Sequence, residues 1–120
     1  MTYIQMKNLL EMLENPVDKL DAVMDFGVHM ISPPDGASCH EIAGCSSHVE
    51  ICRMGNNFYG TADSALVRGI VAILIAMVDG KTPAQIKKMD LWGEFSSLNL
   101  NLGAARITGV NSMISFLQNL

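Results

Sequence analysis

Five soft, chemistry-bearing side chains fall within fourteen residues of this chain: Cys39, His40, Cys45, His48 and Cys52. Thiolates and imidazoles are the ligands of tetrahedral zinc, and the spacing C-x5-C-x2-H-x3-C supplies enough of them. It lacks the paired C-x2-C knuckle that puts two ligands on one turn, so a metal site is permitted without being specified. Cys45 and His48 also meet the minimum for a nucleophile with its base, but no orienting third group or oxyanion hole is marked. The plain alternative is that each cysteine only packs, as most free cysteines do. On residue chemistry alone the three thiols have nearly equal claims. Cys45 stands slightly ahead because Gly44, Ser46 and Ser47 place it in a loop, where functional residues concentrate. No cation or helix N-terminus is visible beside it to activate the thiol.

Composition bounds what such residues can serve. A chain of 120 residues makes one domain spanning 1–120, large enough for a single core. Aromatics are only 6% while there are nine Met, so that core is aliphatic and adaptable. The net charge of −4 argues against nucleic acid or an anionic membrane as a partner, since both select basic patches. Lys87-Lys88 is the only basic pair and reads as a solvated helix face. Lys7, Glu11 and Glu14 interrupt the first fourteen residues, so no secretory apolar segment is present. An odd count of three cysteines then points to a reducing, cytoplasmic setting without disulfide staples. Glycine-rich phosphate loops and a convincing carboxylate pair are both absent, and no cofactor is expected.

The elements that must position the cluster follow from periodicity and punctuation. Residues 3–14 carry an apolar helical stripe at Ile4, Met6, Leu9, Leu10 and Leu13. Asn15-Pro16 caps and opens a second helix, with Asp18 at its positive end and Val17, Leu20, Val23, Met24, Val28 and Ile31 expected on one face. Ser32-Pro33-Pro34-Asp35-Gly36 ends it, and 37–47 reads as a long connection holding Cys39 and Cys45. A hairpin is expected next, from His48–Met54 to Phe58–Ala62 across Gly55-Asn56-Asn57. Its alternation puts Val49 and Ile51 on one face and His48, Glu50 and Cys52 on the other.

Asp63 is the expected N-cap of an almost wholly apolar helix over 65–78. That span falls short of the roughly 20 residues needed to cross a bilayer, so it reads as a helix buried nearly all round. Gly69 within it is expected to admit another backbone closely. Thr82-Pro83-Ala84-Gln85 is a capping box, 91–95 a short helical turn, and about 103–117 the last helix, with Ile107, Val110, Met113, Ile114 and Leu117 inward. The class is α+β, a small hairpin-based antiparallel sheet packed against helices.

Several stretches, in order, resemble the SufE family, sulfur-acceptor proteins of iron–sulfur cluster assembly. Ile42-x-Gly44-Cys45-x-Ser47-x-Val49 is similar to that family's active loop. Gly60-x-x-Asp63-Ser64-Ala65-Leu66-Val67-Arg68-Gly69-Ile70 resembles its G-x-S-D-A-x-I-V-K-G-L run. Thr82-Pro83-x-x-Ile86, Asp90, Phe95, Leu98, Leu102, Arg106, Gly109 and Met113 continue the match, so residues 17–118 are covered. Departures are Glu50 and Cys52 at apolar positions, Cys39 with no counterpart, Ala105 for a serine, and Gly103 where Ser or Thr caps the last helix.

The resemblance implies a non-enzymatic sulfur carrier that also activates its partner. In such a protein Cys45 takes persulfide sulfur from a pyridoxal-phosphate cysteine desulfurase and passes it to an iron–sulfur scaffold complex. It implies that the loop tip tucks into an apolar pocket, and that the fold is shared with the cluster-scaffold family. By motif, Arg106 is an anion stabiliser near the sulfur, with a helix-surface ion pair as its bland alternative. Asp63 matches a family position and is read as a cap. The competing reading is a zinc- or cluster-binding scaffold protein built on the Cys/His cluster. Whether the chain is a monomer or a homodimer is left open.

Overall fold

The computed structural model describes all 120 residues, Met1–Leu120. In chain order the elements are α1 (Tyr3–Met12), α2 (Pro16–Val28), β1 (Ser38–Glu41), β2 (Val49–Met54), β3 (Asn57–Ala62), α3 (Ala65–Val78), α4 (Pro83–Lys87), α5 (Leu91–Ser96) and α6 (Ala104–Gln118). The strands form one antiparallel sheet in the order β1-β2-β3. The architecture is α+β, six helices with a three-stranded sheet: the class is the expected one, and β1 adds a third strand to the expected hairpin.

α3 is the hub. Nine of its fourteen residues are buried, and they include Gly69. A side chain on Gly69 would run into the carbonyl of Val23, so α2 and α3 cross with their backbones in contact. Gly27 on α2 faces the same crossing, where a Cβ would stand 2.7 Å from the Gly69 nitrogen. This crossing resets the face of α2. Val23, Phe26 and Gly27 are buried, while Val17, Val28 and Ile31 are 64%, 69% and 73% exposed, against the stripe expected from periodicity. The caps at Asn15 and Thr82 form as expected, the latter as a full capping box with Gln85. No helix is long and apolar enough to cross a membrane.

Two local expectations are corrected. Asp63 is not the cap of α3. Its N–H donates to the His48 carbonyl at 3.2 Å, which keeps it on the extended chain leaving β3. The helix spans the expected residues, but its cap is one residue later, with the Ser64 hydroxyl accepting from Val67 N at 3.4 Å. The second correction is at 37–47, where β1 was expected to be irregular chain. Ser38-Cys39-His40-Glu41 is exposed throughout and shows no hydrophobic alternation; its strand character comes from pairing with β2.

That pairing overturns the expectation of no disulfide. β1 sets Cys39 directly opposite Cys52, and the two sulfurs are bonded. The expected alternation of β2 holds: Val49, Ile51, Phe58 and Ala62 lie on the helix-facing side with Gly60, whose missing side chain lets Val71 and Ile75 approach. Cys52 lies on the outer face between its cross-strand neighbours Cys39 and Tyr59, yet it is fully buried, whereas Cys39 is exposed.

Candidate functional site

The loop after β1 is closed at its base by Ile42, whose buried side chain anchors it and whose N–H donates to the Val49 carbonyl at 2.9 Å. Gly44 has φ +87°, a left-handed conformation that costs glycine little. It also lies tight on α6, since a Cβ there would meet the Ser112 hydroxyl oxygen at 2.5 Å. The next residue, Cys45, is therefore turned inward. Its thiol donates to the Gly109 carbonyl at 3.7 Å. Val67 and Ile70 of α3 and Ala105, Gly109 and Met113 of α6 line the recess around it, whose free volume is about 10 Å³. That is room for about one water.

Cys45 is half-buried, and it is the one free cysteine. Burial alone pushes its thiol above the ordinary range. An activated cysteine shows the reverse, so the thiol at rest is protonated and guarded.

Arg106 lines the same recess as Cys45. Its guanidinium donates from Nη1 to the Leu102 carbonyl at 3.2 Å, which ties it to the chain just before α6. The first turn of α6 lacks a side-chain cap, because Gly103 occupies the N-cap position. Asp63 is exposed and contributes only its backbone to the end of the hairpin.

The remaining cluster residues diverge. Cys39 and Cys52 bond to each other on the outer face of the sheet. His40 points to the helix side, its ring 5.5 Å from that of Phe116. His48 sits between carboxylates, Nδ1 at 3.4 Å from Glu41 and Nε2 at 3.7 Å from Glu50. No three His, Cys, Asp or Glu side chains are grouped to hold a metal ion. The five candidate ligands are thus not brought together, and Cys45 has the Gly109 carbonyl, not His48, as its hydrogen-bond partner.

Sequence reasoning named Gly109 as a motif position without a role, and it missed Ser112. A signal for Gly109 existed. Glycine inside a helix costs about 1 kcal/mol against alanine, so it calls for a packing reason, which here is the Cys45 sulfur.

A small sheet backed by helices, with its free thiol parked at a loop tip against the last helix, defines a thiol-presenting α+β protein. The family model for SufE, the Fe-S metabolism associated domain, matches residues 4–120, and the chain belongs to that family. It is 30% identical over 117 residues to the sulfur acceptor protein CsdE of Escherichia coli, covering 90% of this chain and 80% of that one. A SufE-like protein of Rhizobium meliloti is 28% identical over 109 residues, with 81% and 78% covered. The fold matches the solution structure of a hypothetical protein from Thermus thermophilus with a TM-score of 0.71 at 14% identity, over 98% of this chain and 93% of that one.

Proposed function

We propose that this chain is a sulfur acceptor that takes sulfane sulfur from a pyridoxal-phosphate cysteine desulfurase and hands it on for iron–sulfur cluster assembly. The observation that carries this reading is the placement of the free thiol, Cys45, at a loop tip against a small, mostly apolar recess. The likeness to a sulfur acceptor supports it.

For transfer, the loop leaves the recess and Cys45 ionises. Its thiolate attacks the terminal sulfur of the partner's persulfide. A new S–S bond forms at Cys45 as the partner's S–S bond breaks, and the partner's cysteine leaves as thiolate. Sulfur moves with no net oxidation, so the chain needs no cofactor of its own. It acts as a carrier and as an activator of the desulfurase, in the sense that it clears the product from the desulfurase's cysteine. On the loop's return, the extra sulfur is shielded from oxidants. Arg106, on the rim of the recess, is the cation assigned to the anionic persulfide once it turns from Leu102. Residues 1–120 work as one SufE-like domain in a cytoplasmic setting, and an iron–sulfur scaffold complex takes the sulfur.

The test is to incubate the chain with a cysteine desulfurase and cysteine and to map added sulfur by peptide mass spectrometry. Added sulfur on Cys45, absent in Cys45→Ser, is the expected result. No added sulfur on Cys45, with zinc retained through chelation, would overturn it in favour of a metal-binding scaffold.

A further inference from the structure

The bonded pair Cys39–Cys52 closes a ring of chain in which Cys45 is the seventh of fourteen residues, at the apex. We infer that this disulfide is a redox lock on the Cys45 loop: closed, it holds the thiol in its recess, and reduced, it frees the loop to reach a partner. The inference rests on the sulfur-acceptor reading for its purpose, though not for its geometry.

β1 is an edge strand of four exposed residues, pairing with β2 alone. Edge strands so short are the first to fray, because few buried contacts hold them. Beyond the ladder itself, Ile42 in the core and the His40 ring against Phe116 secure this segment. With the disulfide closed, fraying cannot pass Cys39, and whatever detaches stays confined to 40–51, inside the covalent ring. With it open, the loop extends to everything between α2 and β2 once β1 and Ile42 detach. A longer tether multiplies the positions the tip can reach at little entropic cost.

The chemistry is thiol–disulfide exchange with a dithiol reductant. One thiolate of the dithiol attacks the sulfur of Cys39, the exposed partner, and Cys52 leaves and takes up a proton. The second thiol of the reductant then attacks the mixed disulfide, so that Cys39 is released as a thiol and the reductant leaves as a cyclic disulfide. Two electrons and two protons pass to the protein. Closing is the reverse exchange, with a small-molecule disulfide as oxidant. Under reducing conditions the carrier is open for traffic. Under oxidising conditions it retains its cargo in the recess, where a persulfide is least exposed to damage.

The experiment compares the alkylation rate of Cys45 by iodoacetamide, resolved by peptide mass spectrometry, in three samples held anaerobically. These are the disulfide form, the same protein after dithiothreitol and desalting, and the double variant Cys39→Ser/Cys52→Ala. The lock predicts that Cys45 reacts roughly tenfold faster or more in both opened samples, in line with release of a covalent loop constraint. Equal or slower reaction after reduction overturns it, as does finding Cys39 and Cys52 both free in protein kept from reductant. Should the double variant fail to fold, the reduced wild-type protein decides alone. Because alkylation needs no desulfurase, faster alkylation without sulfur acceptance sinks the acceptor reading and spares the lock. Unchanged alkylation with normal acceptance does the opposite.

Discussion

Gly109 faces Cys45 across the recess: its carbonyl accepts a hydrogen bond from the thiol at 3.7 Å, and a methyl group added to its Cα would stand 3.3 Å from the sulfur. The same residue therefore holds the thiol and leaves it room. An ordinary side chain there would crowd the closed state of the loop without touching the open one.

Gly109→Ala is expected to bias the loop outward. Alkylation of Cys45 should speed up about threefold or more, equivalent to about 0.7 kcal/mol of lost closed-state stability. Global stability should change little, because alanine recovers about 1 kcal/mol of helix propensity while crowding costs about as much. A rate equal to wild type would mean that the recess yields to the methyl group.

The pH dependence follows from the raised Cys45 pKa, whose cause is burial. A thiol whose pKa is higher in the folded protein than in the unfolded chain favours folding below the unfolded value, and that contribution is lost as pH rises through the folded value. The alkylation rate of Cys45 should climb with an inflection above that of a small free thiol at about 8.5. Stability should fall over the same alkaline window, and Cys45→Ala should remove that part of the fall. An inflection at or below the free-thiol value would contradict the guarded resting state.

Arg106→Gln separates two roles for one side chain. Loss of the Leu102 contact alone should cost about 1 kcal/mol or less, as for other partly exposed polar contacts. If Arg106 also meets the anionic persulfide, sulfur acceptance should slow several-fold while alkylation of the resting thiol stays unchanged. Arg106→Lys should recover part of the rate. Equal acceptance in all three proteins would leave Arg106 with a helix-end role only.

Gly69→Ala tests the hub. The added methyl meets the carbonyl of Val23, and backbone cannot move aside as a flexible side chain can. We expect a loss of about 3 kcal/mol or more, read as a lower urea midpoint, despite the gain in helix propensity. A shift under about 1 kcal/mol would show that α2 and α3 slide apart freely.

The legible parts of this fold were those with strong local signals. Pro16 after Asn15, the Thr82–Gln85 box and the apolar run of α3 each specify their element within a few residues, and the structure follows them. What escaped depends on contacts remote in sequence. β1 has no pattern of its own, so Cys39 could not be placed opposite Cys52, and the disulfide went with it. The exposed side of α2 was misread because one glycine forty-six positions from Val23 decides which way that helix faces. At the site, ordered motifs singled out the Cys45 loop. They could not show that its sulfur would rest on a carbonyl of α6, nor that Arg106 would be turned toward Leu102.

α6 grips the β1 segment twice, through Phe116 against His40 and through Gly109 against Cys45. The two points are seven residues apart, about 10 Å along the helix axis. One rigid rod thus works like a clasp with two teeth, and a slide or roll of that rod disengages both together. A partner that pulls on α6 need not reach the sulfur to release it. For the same reason, a bulky tag joined close behind Gln118 would load the clasp itself, and probes of loop motion are better attached elsewhere.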